Sequence, residues 1–499
     1  MGDRKNRWVV FGSFAMLGVF GFALFENEVL PVEILAVIWG VGILLQGTWF
    51  ALFGDDAFDL FSPGCLTNIC FAILYGVALL TAQLEPSGYF TRKLQTLSPY
   101  YAQVGFASYW GVLGFNLGYH VVQRPLARRF LPKMGDVSGS QAFWLWLILI
   151  AIGTTIVLIG ISSRIFLQTN RELESPLFVS AVGFFMPFLH IAVALAAMQS
   201  MRRFTVASSW TYYFVISVAV LLVYTIPSGS KFNWVVGIIL VAMAFNYTRR
   251  LFRRDEAVVG IIGLFALLSI LMPLNAIYRD AIIARDSSGQ QSLGQAFSLL
   301  ADTATNVGTI LPFSGADDGV EAVRNDYMRA RLSNIGIVAE ILRFQGRGGE
   351  LRNGITYSYA LLGLIPRVLW PDKPELTVGR EISRVVMGSD QDDVTSVGVT
   401  LIGEAIYNFG PYSVFFVLTG IGALMGFLYY LFKNFYRTNP VMAFMMHVGL
   451  WFNLYYPAQE SNIAGGIAGS VKILVFLMIL FYFVTQKRPT AIGSAIPPR

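Results

Sequence analysis

The groups with the most chemical reach in this sequence fall between residues 323 and 408, where arginines and an isolated glutamate stand in runs that are otherwise apolar. Read as a helix at 100° per residue, 323–344 places Arg324, Arg331, Ile335, Val338 and Leu342 on one stripe, and Arg329, Gly336, Glu340 and Arg343 on another. Two arginines thus head an apolar face. A guanidinium there is costly unless it snorkels to an interface or meets a buried anion, and its planar fork suits the oxygens of a phosphate. For Arg331 both readings stand at this stage: interfacial snorkelling or a pairing with Asp326 on one hand, a phosphate contact on the other.

The stretch "PRVLWPDKP", 366–374, packs three prolines, a Trp, an Asp and two basic side chains into nine residues. Prolines fix their own φ and restrict the residue before them, so a rigid elbow is expected. Trp370 suits the headgroup level of a bilayer, with Arg367 and Lys373 beside it at the height of a lipid diphosphate. Without a phosphate the same elbow is an interface anchor. The apolar run just before it, "ITYSYALLGLIPRVLW", is too short to span comfortably and predicts a re-entrant or interface-lying segment.

Glu404 lies among Thr, Leu, Ile, Gly and Ala, with Tyr407 and Asn408 on adjoining turns. A carboxylate in such surroundings is expected to be desolvated and raised in pKa, or paired with a cation such as Arg331 or Arg367. A structural ion pair holding this segment to the following span is the alternative. Thr395 and Ser396, after an acidic run, predict a loop ending in a helix N-cap.

The elements that must hold these groups are membrane helices. A mean hydropathy of +0.60 and only 13% charged residues lie far from a soluble domain. Twelve apolar runs are long enough to cross a bilayer, at about 8–25, 30–53, 62–83, 100–122, 142–161, 177–198, 210–227, 233–248, 257–278, 411–432, 440–457 and 466–484. The fold expected is an all-α integral membrane protein of about 12 transmembrane helices. A nine-span bundle occupies 1–278, a large extracytoplasmic loop subdomain with short and re-entrant helices occupies 279–410, and three spans with a tail occupy 411–499.

With the N-terminus inside, the inner segments collect 18 Lys and Arg and the short outer loops five, so both termini are expected in the cytoplasm. The acidic segment "GDDAFDLFSPG" is the one inner loop that does not help. The first apolar run lacks a small-residue cleavage site and reads as a retained span. The net charge of +6 is then a topology signal and calls for no nucleic-acid partner. Cys65 and Cys70 face different sides of a helix, His120, His190 and His447 are scattered over separate spans, and no metal or nucleotide motif is present. The loop subdomain holds 28 of the 66 charged residues, and its recurring apolar stretches argue for a folded unit.

The order of an Arg-rich helix, "IPRVLWPDKPELTVG" and "DVTSVGVTLIGEAIYNFGPYSV", followed by paired terminal spans, resembles the Wzy-type O-antigen and oligosaccharide repeat-unit polymerases. The likeness covers residues 324–432. It implies a C-type glycosyltransferase of the bacterial inner membrane, related to O-antigen ligases and metal-independent, with no cofactor. Its substrates would be polyprenyl-diphosphate-linked oligosaccharides, and a chain-length regulator and a flippase would be its partners in the bilayer. Such a reaction needs cations against the departing diphosphate and a base for the incoming hydroxyl. The resemblance therefore assigns the diphosphate to Arg331 and Arg367, supported by Arg329, Arg343 and Lys373, with Arg324 and Arg352 weaker. It assigns the acceptor hydroxyl to Glu404 and sugar binding to Tyr407, Asn408 and Trp370. The competing functions are a flippase or exporter of lipid-linked sugars, with Glu33, Lys472 and the histidines as the intramembrane candidates, a non-enzymatic assembly partner, and a ligase-like transferase, which His447 keeps open.

Overall fold

The computed structural model describes residues 4–27, 29–54, 59–82, 96–121, 137–162, 176–203, 209–225, 231–249, 334–365, 369–370, 372–373, 376–388 and 397–486, with scattered positions in 252–267 and at 298. All the regular elements among them are helices. In chain order they are α1 (Arg4–Glu26), α2 (Val32–Phe53), α3 (Pro63–Thr81), α4 (Tyr101–Val121), α5 (Gly139–Ser162), α6 (Pro176–Arg203), α7 (Ser209–Thr225) and α8 (Lys231–Thr248). After them come α9 (Ile335–Gly346), α10 (Ile355–Leu364), α11 (Val378–Val385), α12 (Leu401–Phe409), α13 (Val414–Tyr436), α14 (Pro440–Leu450) and α15 (Ile463–Gln486).

Among the described residues, seven helices are long and apolar enough to cross a membrane, namely α1, α2, α3, α5, α6, α13 with its preceding turn, and α15. The chain is therefore built as a multi-pass membrane protein. Of the other expected spans, 100–122, 210–227, 233–248 and 440–457 coincide with α4, α7, α8 and α14, which are shorter or less apolar, and 257–278 lies mostly outside the described residues.

Glycine decides how closely the central helices approach. Lipid tails are as apolar as the helix surfaces, so helices in a bilayer associate through close packing and polar contacts, which small residues permit. On α4, Gly114 and Gly118 face α13 so tightly that a methyl group would lie 2.3 Å from the Phe415 carbonyl oxygen and 1.9 Å from that of Thr419. Across the seam, a methyl group at Gly422 would lie 2.1 Å from the Phe115 carbonyl oxygen. Asn68 of α3 and Asn116 of α4 exchange two amide hydrogen bonds of 2.8 Å in the same interior. A π turn lies within α3 at Ala72–Val77, and another directly follows α14 at Trp451–Tyr455.

The two ends of α13 are fixed by different chemistry. Its first turn follows α12 through Gly410, whose φ of +82° suits a residue without a Cβ. Its far end meets Asp59, from the acidic segment that counted against the expected orientation. That carboxylate is buried and accepts hydrogen bonds from Asn246 Nδ2 at 3.0 Å, from Tyr247 and from Tyr429. It is therefore a tie between α8, α13 and the start of α3, and not a charge left in an open loop.

Gly118→Ala is expected to cost roughly 2 kcal/mol or more by overpacking the α4–α13 seam. Gly420→Ala on α13, where a methyl group meets open space, should be neutral or slightly stabilising. Thermal unfolding in detergent checks this, and equal midpoints for the two variants would contradict the close approach.

Candidate functional site

The site forms where α12 is wedged between α9, α10 and the start of α15. Every residue from Leu401 to Asn408 is buried, which is unusual company for a carboxylate. The helix begins at Thr400, whose hydroxyl accepts from the Gly403 amide at 3.2 Å and from the Tyr75 hydroxyl of α3 at 2.8 Å. Thr400 has φ +66°, a backbone region that a β-branched residue adopts at a cost of about 1–3 kcal/mol, and the two hydrogen bonds hold it there. The expected N-cap at Thr395 and Ser396 lies outside the described residues, and the cap of α12 is Thr400. A capping hydroxyl must directly precede the first helical residue, and in "TSVGVTLIGE" the Thr next to that residue is the second one.

Glu404, in the first turn, is fully buried. One carboxyl oxygen accepts from the Thr356 hydroxyl at 2.8 Å and the other from the Ile463 amide at 2.9 Å. Thr356 belongs to α10 and Ile463 opens α15, so one side chain joins three helices. Gly363 permits this closeness, since its Cβ would stand 2.6 Å from that of Ala468. With Thr356 level with Ile463 and Gly363 level with Ala468, α10 runs beside the first turns of α15 in the same direction. Burial pushes the Glu404 carboxyl up to about 7, while the Ile463 amide and the Thr356 hydroxyl both pull it down. Of the two states expected for Glu404, the structure shows the desolvated one: its partners among the described residues are a hydroxyl and an amide, with no cation.

Asn408, one turn on, completes the inner layer. Its Nδ2 donates to the Thr356 hydroxyl at 2.6 Å and to the Glu404 carbonyl at 2.8 Å. Tyr407 points the other way. Its hydroxyl accepts from Arg352 Nε at 3.0 Å and donates to Glu381 Oε1 at 3.0 Å. Arg352 Nη2 pairs with the same Oε1 at 2.5 Å, and the guanidinium carbon lies 5.6 Å from the Tyr407 ring centroid. The Tyr359 hydroxyl makes a long 3.4 Å contact to Glu381 Oε2. Burial, opposed by Arg352 and reinforced by Glu381, pushes the Tyr407 hydroxyl up to about 12, so it keeps its proton at neutral pH.

Backbone bonds lock the layers together: the Arg352 amide donates to the Tyr407 carbonyl at 3.1 Å and the Asn353 amide to the Asn408 carbonyl at 2.9 Å. Asn353 and Gly354, at φ +48° and +84°, turn the chain into α10.

The other expected site residues fall as follows. Arg343 on α9 pairs with Glu340 one turn earlier. Lys373 is buried and donates through Nζ to the Ile365 carbonyl at 2.9 Å, capping the end of α10, and the Lys373 amide donates to the carbonyl of partly buried Trp370. Lys373 is thus held against the end of the helix that precedes it. Tyr407 and Asn408 are buried and bonded to protein partners, without an open face for a sugar. Arg324, Arg329, Arg331 and Arg367 lie outside the described residues. Sequence reasoning passed over Glu381, Tyr359 and Thr356. For Glu381 a signal existed: in "VGREISRV" the buried Val378 and Ile382 form an i, i+4 stripe that gives the helix an inward face, and Glu381 sits at its margin.

His447 lies elsewhere. It stacks on Phe432 at 4.2 Å, near the Asp59 end of α13, about 27 Å of helix away from Val414. Among the described residues, no three His, Cys, Asp or Glu side chains gather as a metal site. No protein-family model, curated protein or solved structure matches the chain.

The stability of this region should depend on Glu404 ionisation. The folded pKa of about 7 exceeds the ordinary 4.5, so the contribution is complete below pH 4.5 and is lost as pH rises through 7, by about 3 kcal/mol in total. In thermal unfolding series from pH 4 to 8, the difference between wild type and Glu404→Gln should carry that slope. A difference independent of pH would show that the carboxyl is not desolvated.

Proposed function

We propose that this chain is a polysaccharide polymerase, which transfers a glycan from polyprenyl diphosphate onto a lipid-linked repeat unit at the outer face of the bacterial inner membrane. The observation that carries the reading is the layered arrangement around α12. A sealed carboxyl, Glu404, backs a partly exposed guanidinium–carboxylate pair, Arg352 and Glu381, at the level where the last span begins. A group transfer between two membrane lipids needs ionisable groups at that level, fixed by a rigid scaffold, and side chains deep in the bilayer would not meet the sugars.

Orientation supports the same side. The excess of Lys and Arg puts the loop subdomain outside and the Asp59 end of α13 inside, which agrees with twelve spans and with both termini in the cytoplasm. In that frame α10 is the re-entrant segment, dipping beside α15. Its exposed Ile355, Leu361 and Ile365, with Leu369 in the elbow, suit contact with acyl chains. The diphosphate falls to Arg331, which precedes α9 in the sequence, and to Arg367, which lies between α10 and α11. A well-placed cation in a dry site supplies about 3 kcal/mol against the departing charge. The remoteness of His447 from Glu404 favours polymerase over a ligase that relies on an outer-side histidine.

Reconstituted in vesicles with the host's own lipid-linked repeat units, the chain should lengthen glycans without other proteins. Arg331→Ala and Arg367→Ala should each slow elongation roughly a hundredfold or more, leaving single-repeat products. Normal chain length in both variants would remove the reading, as would repeat units accumulating on the inner side in cells that lack the chain.

A further inference from the structure

The resemblance gave the acceptor hydroxyl to Glu404, yet that carboxyl is fully buried and both of its oxygens are engaged. A base must come within hydrogen-bond reach of the proton that it removes. Glu381 meets that requirement better. Its Oε1 is occupied by Arg352 and Tyr407, but its Oε2 has only the long contact from Tyr359 among the described residues, and its side chain is 21% exposed. Arg352 is open in the same way. Nε and Nη2 are engaged, Nη1 meets no acceptor among the described residues, and the side chain is 34% exposed. One free acceptor and one free donor edge therefore stand side by side.

The charge of this pair selects the ligand. Arg352 and Glu381 largely neutralise each other, whereas a diphosphate calls for cations that are not already balanced. A hydroxyl-rich neutral ligand fits, with one hydroxyl donating to Oε2 and a neighbouring oxygen accepting from Nη1. We propose that the Arg352–Glu381 pair is the subsite for the acceptor sugar, and that Glu381 Oε2 takes the proton from its attacking hydroxyl. The substrate class rests on the polymerase reading above. In the step, the acceptor oxygen bonds to the anomeric carbon of the donor glycan as its proton passes to Glu381. The bond from that carbon to the diphosphate oxygen breaks, and its electron pair leaves on the lipid diphosphate. Glu404 then acts as a positioning residue: it fixes Thr356 and, through it, Asn408, whose backbone neighbours Asn353, Arg352 and Tyr407 carry the pair.

Two arms test this on the full chain in lipid nanodiscs. In calorimetry with the repeat-unit oligosaccharide freed of lipid and diphosphate, wild type and the exposed-site control Glu350→Gln should bind alike, while Arg352→Met and Glu381→Gln should weaken binding at least tenfold. Equal binding by all four overturns the subsite. In elongation assays, Glu381→Gln should lower kcat roughly a hundredfold or more with acceptor KM changed far less. Glu381→Asp should restore part of the rate. A Glu381→Gln enzyme with wild-type kcat overturns the proton transfer. A wild type that binds the oligosaccharide yet never lengthens a lipid-linked glycan instead removes the polymerase reading and keeps the sugar subsite.

Discussion

The arrangement around α12 depends on a carboxyl group deprived of water. Glu404 can remain in an apolar interior because a hydroxyl from α10 and the first amide of α15 replace its solvent, and each of those donors comes from a different part of the chain. An unsatisfied buried polar group costs free energy, so the three helices are held to one mutual geometry. The half-exposed pair outside it inherits that order, since Arg352 and Tyr407 are joined by backbone as well as side chain.

The bundle applies the same rule at both ends of α13. Near α12, the chain is steadied by Thr400 and Tyr75; at the far end, Asp59 gathers Asn246, Tyr247 and Tyr429. Between them the glycine seam with α4 brings backbones into contact. Close packing supplies attraction where the hydrophobic effect does not, and buried polar clusters set the register in which the helices pack. The strained φ of Thr400 is tolerated because these contacts leave the start of α12 few alternatives.

The helical membrane character was legible because it rests on run length and composition, which the sequence carries directly. So was the isolation of Glu404, visible as a charge in an apolar run, and its adjacency to Tyr407 and Asn408 at helical spacing. What spacing could not show was which way each side chain would face. Tyr407 and Asn408 are sequence neighbours, yet one serves the outer pair and the other the inner layer. Glu381 lies between two arginines and reads as a solvated face until α11 is placed against α12. Lys373 also bonds the carbonyl end of α10, a contact set by an eight-residue loop closure that no periodicity encodes. The donors to Glu404 lie 48 and 59 residues away in sequence, and tertiary packing alone unites them.

The hydrogen bond from the Ile463 amide has a mechanical meaning. Membrane helices adapt to bilayer thickness by tilting, and α15, as the last span, is subject to that adjustment. Its first peptide unit is bonded to the carboxyl that orders the neighbouring groups, so a tilt of the span is transmitted to them as a displacement. Lipid length thereby becomes a variable of the Glu404 layer, felt through a single backbone proton.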